Sequence, residues 1–294
     1  MADLYFANTH MHSIFSDGVN TPEELIKLGK MAGHSAMLLT DHDTVSGQHR
    51  FMKAARKEGI LTMMATELSV SCSFGRFHLV CVDFNMENKG MRDLLEYTSA
   101  GNTRLTEFLV EEGLQNGTLR KGIVWQEVLD KYSEMDCIFN SHVFRYAVEK
   151  GIYNKDEYPE FYKSTFGIPK PRKLQLQKQI GYPLPPAEEV IEIVLKADGV
   201  PIIAHPTENG NYFFKEEADK YIKLGVKGFE IRHPSMNPDE CEFYNGLCDE
   251  HNLYKLGGTD HHGDKKTDYP LTYPLSSGYV NEKQFMQLYK RELG

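Results

Sequence analysis

Cysteine is scarce and scattered in this sequence: Cys72, Cys81, Cys137, Cys241 and Cys248 are odd in number and include no C-x-x-C pair. Such spacing argues against a disulfide framework and for reduced thiols in a cytoplasm. Long apolar runs are missing too. None approaches the ~20 residues that span a bilayer, and the first residues lack a basic-then-apolar leader, so neither a membrane nor a secretory route is expected. Basic charge is short: 33 Lys and Arg against 42 Asp and Glu leave a formal net charge of −9. A long nucleic-acid track wants the opposite sign. A small anionic substrate stays compatible, because bound divalent cations reverse the sign locally. Nothing in the sequence speaks to oligomeric state.

What is present is a globular composition, 40% hydrophobic with 16 Tyr and 16 Phe over 294 residues, enough for one large domain or two ordinary ones. Leu4-Tyr5-Phe6-Ala7 reads as a short buried strand. Thr21-Pro22-Glu23-Glu24 starts a helix, with Thr as cap and acids at the positive dipole end. Apolar strands follow at Ser35–Leu39, Ile60–Ala65 and Phe77–Val82, with a helix over Gly47–Lys57 between the first two. Strands at Val200–Ala204, Gly228–Ile231 and Leu253–Leu256 alternate with helices at Ala187–Ala197, Lys215–Leu224 and Pro238–His251, before a last helix at Glu282–Leu293. This alternation predicts parallel βα units. Between them, apolar residues recur at helical spacing (Leu94, Leu95, Leu105, Phe108, Leu109, Trp125, Val128, Leu129). We read 88–186 as a mostly helical insertion, a lid-like subdomain on an α/β body formed by 1–87 and 187–294.

Ligand-type side chains arrive repeatedly where strands end: His10 and His12, Asp41 and His42, Glu67, His205, Asp260 and His262. In an extended backbone His10 and His12 share a face, about 7 Å apart at the Cα, and can close on one ion, with Asp17 offering an oxygen nearby. Taken singly, each has an ordinary structural reading: His78 as a half-buried core residue, His142 at a helix start, Asp41 and Asp43 as turn formers. Taken together they sit on one edge of one sheet, where α/β enzymes build active sites.

The motifs His10-x-His12-Ser13-x-x-Ser16-Asp17-Gly18, Thr40-Asp41-His42-Asp43-Thr44, Glu67, His78, His142, Ala204-His205-Pro206 and Gly258-Thr259-Asp260-x-His262-Gly263 resemble, in order, those of the PHP (polymerase and histidinol phosphatase) phosphoesterases. The resemblance runs from residue 3 to about 265 and is nearest to the free-standing enzymes that act on small phosphate esters. It implies a distorted (β/α)7 TIM-like barrel carrying a trinuclear centre of two to three Zn, Fe or Mn ions at the C-terminal strand ends. Carried over by position, His10, His12, Glu67 and Asp260 would bind one ion; Glu67, His78 and His142 a second; Asp17, His42 and His262 a third. His205 would lie beside the substrate phosphate, and Glu67, His205 and Asp260 would carry the catalysis.

The expected chemistry is hydrolysis of a phosphate monoester of a small metabolite, a nucleotide or sugar phosphate, by direct attack of a metal-bridging hydroxide, with no phosphoenzyme. Arg232, after its strand, suits a bidentate phosphate clamp. Arg172 and Lys173 could reach the phosphate from the insertion, and His233 shares Arg232's loop. His34, His49 and His251 receive no role. Asn8, Asn140-Ser141 and His261 depart from the family pattern without removing a ligand, which bears on metal and substrate choice. Competing readings are a phosphodiesterase acting on a cyclic phosphate or short oligonucleotides, a histidinol-phosphate phosphatase, and a silent binding module, whose mark would be a lost ligand.

Overall fold

The computed structural model describes residues 6–207, 215–263 and 280–292. Leu4 and Tyr5 of the expected first strand lie outside them. β1 (Ala7–Asn8) pairs in parallel with β2 (Ala36–Met37) across α1 (Pro22–Met31). α1 opens with a capping box: Thr21 accepts from the Glu24 backbone, the Glu24 carboxylate returns to Thr21, and Pro22 takes the first turn. α2 (Gln48–Glu58) ends at left-handed Gly59.

β3 (Ala65–Cys72) and β4 (Gly75–Val82) form an antiparallel hairpin, and β5 (Val200–Ile203) is antiparallel to β4. Only β5, β6 (Gly228–Arg232) and β7 (Tyr254–Gly257) continue in parallel. The expected all-parallel rhythm therefore fails at β3 and β4. The third strand starts at Ala65, since Ile60–Met64 contributes only an isolated bridge from Leu61 to Ala36, and two residues turn β3 back on itself. Glu67 thus sits inside its strand, opposite Val80, with its backbone bridged to His42. Instead of one closed seven-stranded ladder, the described strands make a two-stranded and a five-stranded sheet, linked by isolated bridges such as His42 to Glu67 and Met11 to His261. The fold is mixed α/β.

The five-stranded sheet is buried on both faces, and its period-2 alternation divides the core. Leu79 and Cys81 of β4 pack outward with Ile203 and Phe229 under α8 (Ala187–Lys196), α9 (Lys215–Leu224) and α10 (Pro238–Glu250). Val80, Val82, Val200 and Ile202 face inward with Ala7, Ala36 and Leu256, and α11 (Glu282–Tyr289) adds Phe285 and Leu288 to that layer. Residues 89–179 carry α3 (Lys89–Asn116), α4 (Trp125–Lys131), α5 (Asn140–Glu149), α6 (Tyr158–Phe161) and α7 (Lys170–Gln179). They share a separate apolar cluster that includes Leu105, Leu109, Val128, Phe144, Phe161 and Leu176. Among the described residues no helix is long and apolar enough to cross a membrane.

Candidate metal centre

The segment leaving β1 is stitched to the segment leaving β7. Thr9 Oγ1 donates to the Gly257 carbonyl (2.9 Å), Asn8 Nδ2 to Thr259 Oγ1 (2.9 Å), the His12 amide to the His261 carbonyl (2.9 Å) and the Asp260 amide to the His10 carbonyl (3.0 Å). A Cβ on Gly258 would stand 2.4 Å from the His10 backbone nitrogen, so only glycine allows this approach. The consequence is convergence. His10 Nε2 and His12 Nε2 face one another at 3.2 Å, Glu67 Oε2 lies 3.1 and 3.3 Å from them, and Asp260 Oδ1 3.4 and 2.9 Å.

Two more groups adjoin this one. Glu67 Oε1 is 2.8 Å from both His78 Nδ1 and His205 Nε2, which are themselves 3.3 Å apart, and Glu67 Oε2 is 3.0 Å from His42 Nδ1. Asp17 Oδ1 lies 3.2 Å from His262 Nε2, and Asp17 Oδ2 3.8 Å from His42 Nε2, with His12 stacked between the His42 and His262 rings. Glu67 is thereby shared by five histidines from four segments.

Electrostatics explains why the cluster needs cations. Burial alone would push the Glu67 and Asp260 carboxyls up, but the surrounding imidazoles hold both well below the ordinary range. Burial would likewise lower His12, yet bonds to Asp260 and Glu67 outweigh it and lift the ring to about 9. The donor set is imidazole nitrogen and carboxylate oxygen without thiolate, which suits Zn, Fe or Mn. His12 Nδ1 and His42 Nδ1 are buried with no hydrogen-bond partner. His42 Nδ1 stands close to Glu67 without the alignment of a hydrogen bond, as two ligands of one ion do. The residues fit divalent ions.

Behind the ligands stand two carboxylates. Glu230 accepts from His10 Nδ1 (2.7 Å) and from the His205 backbone amide (2.6 Å), fixing one ring and one loop whose His205 sits at φ +25°. Asp41 accepts from the Ser13 amide (2.7 Å) and from the Ser13 and Ser16 hydroxyls (2.6 Å each), bending the loop that carries Asp17. Sequence reasoning passed over Glu230. Its only signal was a lone acid inside the apolar run Gly228-Phe229-Glu230-Ile231.

His142 does not join the cluster. Its Nδ1 accepts from the Phe139 amide (2.9 Å) and its Nε2 donates to the Ile14 carbonyl (2.8 Å), so both nitrogens are committed to backbone. His205 stands instead beside Glu67 and His78.

The three groups open into a cavity of about 490 Å³. Asp17, His42, His78, His205, Asp260 and His262 line its floor; Leu105, Leu109, Phe139, Tyr158, Tyr162 and Phe166 line its helical side. Arg76 and Lys173 are its cationic lining residues, Arg76 Nη2 lying 2.5 Å from His78 Nε2. Three expected substrate contacts are not among its lining residues. A bulge between Glu230 and Arg232 breaks the β6 alternation and leaves Arg232 near Cys241. Arg172 is exposed and paired with Glu112 at 2.7 Å, and His233 is buried with Nε2 3.4 Å from Asp260 Oδ2. Arg76 carries no site signal in sequence, because an arginine next to the turn of a hairpin looks like a solvated one.

The PHP domain family model matches residues 8–172, more than half of the sequence. This chain belongs to the PHP domain family. Among family relatives, it is 25% identical over 260 residues to a 3',5'-nucleoside bisphosphate phosphatase of Chromobacterium violaceum, with 86% of each chain covered. It is 26% identical to a 5'-3' exoribonuclease of Haemophilus influenzae, covering 86% of this chain and 88% of that one. Identity is 23% to a phosphoribosyl 1,2-cyclic phosphate 1,2-diphosphodiesterase of Eggerthella lenta, covering 86% and 93%. The fold is similar to that of a Bifidobacterium adolescentis protein assigned as a metal-dependent phosphoesterase, with TM-score 0.75, 24% identity and 97% and 96% of the two chains covered.

Proposed function

We propose that this PHP protein is a metal-dependent phosphoric ester hydrolase that removes phosphate from a small phosphorylated metabolite, a nucleotide or a sugar phosphate. The observation that carries this reading is the opening of three adjoining histidine–carboxylate groups into one cavity. Its volume lies within the range of about 300–1,000 Å³ that encloses a small ligand. His10, His12, Glu67 and Asp260 would hold one ion. Glu67, His78 and His205 would hold a second, and Asp17, His42 and His262 a third. Divalent ions bound there supply Lewis acidity, lowering the pKa of a water and offsetting phosphoryl charge. The protein's own groups do the rest. Glu230 fixes the His10 ring and the His205 loop, Asp41 fixes the Asp17 loop, and Arg76 and Lys173 bring positive charge to the cavity wall. The aromatic side chains opposite the ligands give an apolar moiety such as a nucleobase a surface to stack on, which favours nucleotides over sugar phosphates.

A second reading, a phosphodiesterase opening a cyclic phosphate or trimming short oligonucleotides, is supported by the exoribonuclease and diphosphodiesterase relatives. The net charge of −9 weighs against long nucleic acid. Phosphate release from a panel of nucleoside mono- and bisphosphates, sugar phosphates, cyclic phosphates and short oligonucleotides separates these readings. Monoesters should lead. Turnover confined to diesters overturns the first reading, and Glu67→Gln with undiminished turnover overturns both.

Two architectural readings accompany this. The two sheets, with the bridges between them, are segments of one distorted barrel, and 88–186 is a helical subdomain covering its ligand-bearing end. Five unpaired cysteines suit a reducing, cytoplasmic setting.

A further inference from the structure

The loop Ile14–Gly18 carries Asp17, and its backbone is held from outside the sheet. Three side chains of α5 each donate to a different carbonyl of this loop. Ser141 Oγ donates to the Ser16 carbonyl (3.1 Å), His142 Nε2 to the Ile14 carbonyl (2.8 Å) and Arg145 Nη2 to the Gly18 carbonyl (2.5 Å). Ser141 and His142 are buried, and their spacing, with Arg145 one turn on, puts all three on one helix face. The loop's internal bonds are few: the Ser16 and Gly18 amides both reach back to the Ser13 carbonyl. Asp41 secures its start through Ser13 and Ser16, whereas at its far end Arg145 of α5 takes the Gly18 carbonyl, beside the bonds of the Gly18 amide to Ser13 and the Val19 amide to His262. Gly18 itself cannot carry a Cβ, which would stand 2.2 Å from the His12 carbonyl oxygen, so the loop lies flat on the ligand segment it follows.

We propose that Ser141, His142 and Arg145 are positioning residues: they form a latch by which α5 sets the Asp17 carboxylate against His42 and His262. The proposal rests on the metal-site reading above for its consequence, though not for the latch itself. The other two groups owe nothing to α5. Glu67 and His78 sit in β3 and β4, Glu230 holds His10 and the His205 loop, and the bonds between residues 8–12 and 257–261 hold His12 and Asp260. Opening the latch therefore weakens one site of three and leaves two as they were. A residue that only stabilised the fold would weaken all three alike or none. Asn140, at the start of the same helix, accepts from Tyr158 OH at 2.7 Å, and both line the cavity. The latch consequently joins the Asp17 site to the wall that faces substrate.

The test uses the full-length chain as Ser141→Ala, Arg145→Met and Arg145→Lys variants, with helical content checked by circular dichroism. Zinc is titrated against a chromophoric chelator, and amide exchange is followed on the metal-free protein. Expected are faster exchange at the Ser16 and Gly18 amides in Ser141→Ala and Arg145→Met, and affinity for one zinc falling about 10–100-fold while the others hold. Arg145→Lys, which restores a donor to Gly18, should recover part of both. Unchanged exchange at these amides overturns the latch. Loosened exchange with unchanged zinc affinity, or equal weakening at every site, overturns its coupling to Asp17. Asp17→Asn binding as many ions as wild type would instead count against the third-ion assignment, while the exchange result would still decide the latch.

Discussion

Glu230 and His142 mark the two ways in which a side chain escapes a reading of sequence. Glu230 resembles Glu67, each a lone acid in an apolar strand, yet Glu67 closes its apolar run and falls in order among the family motifs, whereas Glu230 does neither. Its role becomes visible only when the His10 ring and the His205 amide arrive, 220 and 25 residues away in sequence. The opposite happened to His142: sequence presents a histidine with two open nitrogens, whereas folding spends one on Phe139 and the other on Ile14. That commitment has a measurable sign. Burial and the nearby Arg145 charge lower His142 to about 3, so the ring stays neutral in the folded chain while it protonates near 6.5 when unfolded. The neutral form's stability is complete above pH 6.5 and is lost as pH falls toward 3, at about 1.4 kcal/mol per unit. In the metal-free protein, replacing His142 by Gln, which offers a donor and an acceptor but does not titrate, should make urea-monitored stability about 2 kcal/mol less sensitive to a drop from pH 6.5 to pH 5. Parallel losses in variant and wild type would show that the ring is not held neutral.

At the level of elements, helices were more legible than strands. α9 runs over Lys215–Leu224 as its periodicity predicts, and the Thr21-Pro22 start of α1 is a local signal that needs no partner. Strand register is a long-range property, and the apolar run Ile60–Ala65 offered no local reason to begin pairing at Ala65. The ligand-bearing loops were legible because their motifs are continuous, whereas Arg76 and Arg232 depended on a hairpin and a bulge. Gly258 tests the junction between β7 and β1. Alanine there would press its Cβ on the His10 backbone, where neither strand can yield, and overpacking of this kind costs about 1–3 kcal/mol. Gly258→Ala should therefore unfold at lower denaturant concentration and bind zinc more weakly at the His10 group than at the Asp17 group. Equal binding at both would show that the two segments slide past one another without moving the ligands.

For the whole molecule, the distribution of charge is the organising fact. A chain with a formal net charge of −9 buries Asp17, Glu67, Glu230 and Asp260 around one cluster of histidines, an arrangement that burial opposes and that positive charge, from the imidazoles or from bound cations, offsets. Metal binding is then folding free energy. One ion at a hundredfold excess over its dissociation constant adds about 2.7 kcal/mol, which for a chain of this size raises the melting temperature by roughly 4–5 °C. Stripping the protein with a chelator should lower the melting temperature at least that far, and readdition of zinc or manganese should restore it. A melting curve indifferent to both would leave the cluster without the ions its chemistry calls for. The acidic balance and the absence of a disulfide framework were readable from composition alone, because they are sums over the chain and do not depend on where it folds.

The stitching of residues 8–12 to residues 257–261 also sets an order of events during synthesis. The first pair of ligands emerges at His10 and His12, but the carboxylate that meets them, and the backbone that holds them, come some 250 residues later. At about 5–20 residues per second, the early histidines wait on the order of ten seconds or more without their partners. Throughout that interval the centre cannot close, whatever metal is at hand. A chain truncated before Gly257 should accordingly bind no ion at the His10 group with native affinity. Loading is tied to completion of the fold, and the ion that is kept is chosen by the finished site, not by whichever metal first meets the nascent chain.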